Sequence, residues 1–267
     1  MSSSPFYTED HAAFRLVVRQ FTEKEIVPYI PEWEKAGEVP RMLYKKAAEI
    51  GIFGDGFDAT YGGHGQRDAI LRMVIFQELC AAGSGGVVAS LLSNYIGLPP
   101  IQRFGSTEMK ERVLTSCLTG DKVAALAITE PSGGSDVGRI KTKAIRDGED
   151  FIVNGQKTFI TSGMNADFFT VAVRTGQEGP SGISLLLVEG DRSGLERTRL
   201  DKMGWLSSDT ATLYFDDVRV PISNLIGEEG TGFSAIVNNF NAERIDMAAQ
   251  SIAFSRACFT EALEWAK

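Results

Sequence analysis

The hydrophobic period changes twice along this chain, and those two changes limit the architectures open to it. Residues 8–120 read as helical. In "TEDHAAFRLVVRQFTEKEIVPYI", Phe14, Val17, Val18, Phe21 and Ile26 recur close to every 3.6 residues. Thr8, with Glu9 and Asp10 behind it, reads as a helix start. "VPRMLYKKAAEIGIFG" repeats the pattern, with Pro40 near its beginning and Gly51 past its end. "YGGHGQ" is a loop, and "RDAILRMVIFQELCAAG" and "GGVVASLLSNYIGLPPIQRFG" are apolar enough for buried helices. Ser106 caps a further helix that has Glu108 in its first turn.

Near residue 121 the period becomes two. "KVAALAITEP" is a short apolar run ending in Pro131. Asn154-Gly155, between "DFIV" and "QKTFIT", predicts a two-residue hairpin turn. "DFFTVAVRT", "ISLLLVEG", "LERTRLD" and "TATLYFDDVRVP" continue as strands. From Gly230 the pattern is helical again, and no proline or glycine interrupts it after Gly232. The expected class is therefore α+β and multidomain: an N-terminal α-helical domain over 1–120, a β domain over 121–229, and a long helix over 230–267.

Composition narrows the function. The net charge of -8 argues against a broad nucleic-acid surface. His11 and His64 are the only histidines, which excludes a multi-histidine metal site and disfavours a Ser-His-Asp machine. No metal is expected, and a carboxylate is the expected acid–base group. Cys80, Cys117 and Cys258 have neither disulfide nor zinc spacing, which points to a reducing, cytoplasmic setting. "MSSSPFYTEDHAAFRL" lacks the marks of a leader, and no apolar run reaches membrane-spanning length.

"ITEPSGGSD", residues 128–136, has the look of a phosphate cradle. A Rossmann loop would lead into a helix, but this one leads into strands, so the helix dipole is missing. Backbone N–H groups at Gly133 and Gly134 can still form an anion nest, with the Ser132 and Ser135 hydroxyls beside them. A surface turn between strands fits the same residues.

The flanking motifs decide between these. "ITEPSGGSD", "KTKA", "NGQKTFITSG", "DKMGWLSSDTATLYFDDVRVP" and "LIGEEGTGF" follow one another in the order and at the intervals of the acyl-CoA dehydrogenase family, which the chain resembles over nearly its whole length. "FRLVVRQFTEKEIVPYIPEWEKAGEVPR", "YGGHG" and "IQRFGSTEMKERVL" extend the resemblance. It implies that the middle domain is a small β-barrel binding FAD and acyl-CoA, and that the last segment is the first helix of a C-terminal helical bundle. Leu126, Ala127, Ile128, Thr129, Glu130, Pro131, Ser132, Gly133, Gly134 and Ser135 would line FAD, with Thr129 bonding the flavin edge. Phe159, Ile160 and Thr161 would meet the flavin ring; family members often have tryptophan at the first of these positions. Ser135, Asn241, Ala242, Glu243 and Arg244 would contact the acyl-CoA.

The implied reaction converts an acyl-CoA thioester to its trans-2-enoyl product. A carboxylate takes the α-proton, a hydride goes to flavin N5, and electrons pass to an electron-transfer flavoprotein. The family places its base at one of two sites. Glu243 occupies the first; the second belongs to a C-terminal domain beyond residue 267. Glu243 lies three residues after Phe240 and four before Met247, so it shares a helix face with apolar side chains. An acyl-CoA oxidase, a flavin monooxygenase or a non-catalytic binding relative of the same fold are the alternatives. Family members continue past this chain's last residue, so the segment is expected to be a truncated piece that binds FAD weakly. The full-length protein is expected to form a homodimer or homotetramer, without nucleic-acid or membrane partners.

Overall fold

The computed structural model describes residues 5–267; the first four, part of the stretch read above for a leader, lie outside the described residues. The N-terminal part is helical. α1 (Glu9–Phe21) starts where Thr8 caps the His11 N–H and the His11 ring answers the Thr8 N–H. α2 (Ile30–Ala36) ends at Gly37 in the left-handed region, and α3 (Arg41–Glu49) follows. Asp68 caps α4 (Ala69–Cys80) through the N–H groups of Ile70 and Leu71.

The apolar stretch from Gly85 to Gly105 is three helices: α5 (Gly85–Leu91), α6 (Asn94–Gly97) and α7 (Pro99–Phe104). Pro99 and Pro100 have no N–H to continue a ladder, but at a first turn that donor is not needed, so they restart a helix. α8 (Thr107–Leu118) opens on the Ser106 cap.

The middle part is one mixed sheet: β1 (Ala124–Ala127), β2 (Lys143–Asp147), β3 (Asp150–Ile160), β4 (Phe168–Arg174), β5 (Ile183–Glu189), β6 (Leu195–Arg199), β7 (Ala211–Pro221) and β8 (Leu225–Ile226). Its order is β6-β7-β3-β2-β4-β5-β8, and β1 lies parallel to β4. β4 and β5 are buried on both faces, which is why they read as mostly apolar runs without alternation.

The hairpin expected at Asn154-Gly155 is not there. β3 runs straight through those residues with a register shift, and the turn lies earlier, at Gly148-Glu149 between the paired Asp147 and Asp150. Gly148 has φ +62°, as a tight turn requires. Gly155 has another job. Its φ is +148°, and a Cβ there would stand 2.6 Å from Thr142 Cα, so glycine lets two strands pass closely at a bulge.

α9 (Gly232–Ala266) is 35 residues long, about 52 Å at 1.5 Å per residue. Its first two-thirds bury Ala235, Ile236, Asn239, Asp246, Ala249, Gln250 and Ala253 on one face. That face meets α4, α7 and β5. Ile252, Phe259 and Trp265 stand exposed on the rest of the helix. Among the described residues no helix is long and apolar enough to cross a membrane.

Candidate functional site

Three connected depressions lie where α9, the helical part and the sheet meet. The smallest, about 120 Å³, is a crevice lined by Leu126, Ile128, Thr129, Phe159, Ile160 and Thr161 of the sheet, with Ser93, Ile96 and Phe240 opposite. Phe159 is 69% exposed and has φ +58°. A bulky residue is costly in the left-handed region, and such positions concentrate at ligand sites. The bulge between Lys157 and Ile160 turns this aromatic face outward. Ser93 Oγ, on the facing wall, is buried without a hydrogen-bond partner. An orphaned hydroxyl in a crevice suits a ligand with a polar edge.

The loop after β1 is fixed to β3 from beneath. Lys157, fully buried, donates to Ile128 O at 3.0 Å and to the Glu130 carboxylate at 2.9 Å. Glu130 also accepts the N–H groups of Lys141 and Thr142 at 2.7 and 2.8 Å. Burial pulls the Lys157 ammonium down to about 8 against the pull of Glu130. Burial works to raise the Glu130 carboxyl, but Lys157 and the Thr142 and Lys141 donors hold it below its ordinary value. The Glu130 side chain is thus committed to the scaffold, and its backbone N–H and carbonyl pair with Gly133. Ala127 is buried in β1. Pro131, Ser132 and Gly133 form an exposed tip, closed by paired Glu130–Gly133 backbone bonds, and border neither the crevice nor the cleft described next.

Gly134 and Ser135 open onto a second and larger cleft of about 1380 Å³. Its cations are Arg139, Lys141, Lys143, Arg174 and Arg244, against Asp136 and Glu178. Val237 and Phe240 of α9 supply an apolar side. This protein of net charge -8 therefore gathers local positive charge in one place. Arg244 Nη1 donates to Asn241 Oδ1 at 2.8 Å, and Asn241 is otherwise exposed. So Ser135 and Arg244 meet in the cleft, while Asn241 acts on Arg244.

Glu243 faces the other way. It lies in the wall of a third, apolar pocket of about 160 Å³ with Phe76, Val88, Leu92 and Met247. Ile96 and Thr161 line this pocket and the crevice alike. Asn239 Nδ2 donates to Glu243 Oε1 at 2.7 Å and to Ile96 O at 3.2 Å. Burial pushes the Glu243 carboxyl up to about 7, the Asp246 charge adds to this, and Arg244 opposes it.

The charge balance leaves the effect of burial uncompensated. Arg72 Nη1 and Arg67 Nη2 reach Asp246 at 3.1 and 3.0 Å, and Arg72 Nε reaches Asp55 at 2.9 Å. Arg72 also sits 3.7 Å over the Tyr95 ring. Two cations thus match two carboxylates in a buried network. Glu243 is a third acid with no buried cation of its own, so its neutral form gains. Ala242 is joined to this network through its carbonyl, which accepts from Arg67 Nη2 at 3.3 Å.

Asn239, Asp246, Arg72 and Ser93 were not singled out from the sequence. Asn239 had a local signal, since it precedes Glu243 by four residues on one helix face. Asp246, three residues after Glu243 on α9, shares that local signal, while Arg72 and Ser93 reach the site only through tertiary packing.

A helical domain packed on a mixed sheet, with a long helix bringing a carboxylate to their junction, is the acyl-CoA dehydrogenase architecture, and the chain belongs to the acyl-CoA dehydrogenase family. The family models match in order: N-terminal domain at residues 8–121, middle domain at 125–218 and C-terminal domain at 230–267. The long-chain specific acyl-CoA dehydrogenase of Rattus norvegicus mitochondria is 38% identical over 96% of this chain and 60% of its own length. An acyl-CoA dehydrogenase crystal structure from Geobacillus kaustophilus superposes with a TM-score of 0.92 at 40% identity, covering 97% of this chain and 68% of that one. A glutaryl-CoA dehydrogenase from Mycobacterium smegmatis, in complex with FADH2, superposes with a TM-score of 0.88 at 28% identity, covering 96% and 65%. The chain spans 60–62% of the length of the first curated relatives it matches.

Proposed function

We propose that the protein to which this chain belongs catalyses FAD-dependent α,β-dehydrogenation of an acyl-CoA thioester, with Glu243 as the base. The observation that carries the reading is shared lining: Ile96 and Thr161 border both the aromatic crevice and the pocket that holds Glu243. A carboxylate and a ring bound at Phe159 would then face one ligand from adjoining walls.

The crevice residues fit a flavin. Phe159 offers an aromatic face, the orphaned Ser93 hydroxyl a polar contact, and Thr129 and Thr161 further hydroxyls. At Gly134 a Cβ would come within 3.3 Å of Thr129 Cγ2, so glycine lets the loop lie close against Thr129. When bound, FAD supplies the hydride acceptor.

The chain's own residues do the rest. Glu243 takes the α-proton, and with its carboxyl near 7 it is a stronger base than an ordinary glutamate while still ionising at neutral pH. Asn239 holds the carboxylate by donating to Oε1. The basic cleft, with Ser135 and Arg244 at its edge, is suited to the phosphates of CoA. Electrons leave to an electron-transfer flavoprotein, and the working assembly is a homodimer or homotetramer. The test is anaerobic mixing of the full-length, flavin-loaded protein with acyl-CoA. The visible flavin absorbance should bleach on adding thioester and return on adding the acceptor flavoprotein. A flavin that stays oxidised with acyl-CoA of every chain length would contradict the reading. Rapid reoxidation by oxygen alone would favour an oxidase instead.

A further inference from the structure

We infer that Trp205 closes the far end of the Glu243 pocket and sets the length of acyl chain it accepts. This rests on the reading of that pocket as the acyl site and adds to it the residue that ends the chain's path.

The pocket has a direction. Glu243, Met247 and Gln250 lie at i, i+4 and i+7 on α9 and form one wall, about 10 Å long at 1.5 Å per residue. Val88, Ala89 and Leu92 form the facing wall. At the near end, Ile96 and Thr161 join the crevice where Phe159 stands. The far end lies toward Gly85, the first residue of α5 and eleven positions before Ile96. Trp205 stands there, in the loop between β6 and β7.

The indole is seated where a side chain would otherwise be. A Cβ on Gly85 would lie 2.2 Å from Trp205 Nε1 and 2.5 Å from Cε2. A Cβ on Gly86 would lie 2.4 Å from Ser207 Oγ. The two adjacent glycines thus remove the bulk that would keep this loop off α5. Trp205 is half exposed among these 267 residues, and its ring borders the apolar pocket.

The loop is held in this position. Trp205 has φ +55°, a conformation that a bulky residue keeps only when its surroundings fix it. Its carbonyl accepts from the Ser208 N–H at 3.0 Å and from Lys202 Nζ at 2.8 Å. Glu34 of α2 accepts from Ser84 Oγ at 2.6 Å, from Ser207 Oγ at 2.8 Å and from the Ser207 N–H at 3.3 Å. A carboxylate from one side therefore ties the loop to the start of α5, and the tryptophan follows as a plug.

The pocket measures about 160 Å³. An apolar cavity of about 150 Å³ holds a benzene-sized guest. With Trp205 in place, the pocket suits a tail of about six carbon atoms. Without the indole, the same channel opens past Gly85 to solvent and admits a longer one.

The experiment compares wild type, Trp205→Ala and Trp205→Phe in the full-length, flavin-loaded protein over a series of saturated acyl-CoA lengths. Trp205→Ala should raise kcat/KM for a twelve-carbon chain relative to a six-carbon chain by on the order of tenfold or more, since each methylene in an apolar pocket counts for about tenfold or more. Trp205→Phe should keep a profile close to wild type. Calorimetric binding of non-reactive S-alkyl-CoA thioethers should show the same shift without turnover. An unchanged length profile and unchanged thioether affinities in Trp205→Ala would overturn the assignment while leaving Glu243 chemistry intact. A wild type that turns over no acyl-CoA and binds no thioether would overturn the site reading, and this inference with it.

Discussion

Asn239 donates its amide N–H to the Glu243 carboxylate at 2.7 Å from one helical turn away, and holds Ile96 O at 3.2 Å with the same nitrogen. The side chain thus fixes the rotamer of the carboxylate and ties α9 to α6. A hydrogen bond to a charged group contributes about 1.5–3 kcal/mol. Asn239→Ala should therefore lower kcat by roughly 10- to 100-fold with little change in flavin content. Steady-state kinetics beside the flavin absorbance ratio checks this; an unchanged kcat would exclude the positioning role.

The pH dependence follows from the charge balance. Glu243 must be ionised to act, and burial with the Asp246 charge lifts it to about 7. kcat/KM should rise with pH through about 7 and level off above it. Asp246→Asn removes a negative neighbour and leaves Arg67 and Arg72 less neutralised, and both effects favour the Glu243 anion. The acid limb should move to lower pH in this variant. A limb that stays in place would show that the network does not tune Glu243.

The same shift has a stability consequence. A carboxyl raised from 4.5 to about 7 on folding contributes stability fully present below the lower value and lost as pH rises through the upper one. Glu243→Gln removes the charge, so its Tm should exceed that of wild type at about pH 8 and differ little at about pH 4. Calorimetric scans of the full-length protein at both pH values give the comparison.

Beneath the glycine loop, Lys157→Met leaves Glu130 buried without its cation. That should cost about 3–5 kcal/mol. The double variant Lys157→Met/Glu130→Gln removes the uncompensated buried charge but keeps an acceptor for only one of the Lys141 and Thr142 N–H groups, so it should recover part of the loss. Urea unfolding of the three proteins measures both effects, and a double variant no better than the single would contradict the pairing.

Phe159 separates ligand binding from stability. Its side chain is exposed and its φ of +58° suits glycine better than phenylalanine. Phe159→Gly should leave Tm unchanged or slightly raised while weakening flavin binding by about tenfold, the scale of one lost aromatic contact. A large fall in Tm with unaltered flavin affinity would make Phe159 a scaffold residue.

Much of this was legible in local pattern. Thr8, Ser106 and the Gly51 stop act within a turn or two of the helices they bound, so spacing reveals them. The strands from Phe168 to Glu189 were visible because burial on both faces fills them mainly with apolar side chains, Thr170 and Ser184 being buried with hydrogen-bond partners. Asn154-Gly155 misled because a bulge and a hairpin turn demand the same backbone freedom; only the neighbouring Thr142 distinguishes them. In the site, Glu243 stood out as an acid on an apolar helix face. Arg72, Ser93 and Trp205 did not, because they arrive from distant parts of the chain and no periodicity links them to it.

The most direct test of the account is whether Glu243 takes the α-proton next to a flavin held at Phe159 and Thr161. Full-length Glu243→Gln should be purified with its flavin and mixed anaerobically with an acyl-CoA that bleaches wild type. The account predicts retained flavin and retained acyl-CoA affinity, with bleaching slowed by about 10²-fold or more. Bleaching at the wild-type rate would contradict it and move the base to another carboxylate.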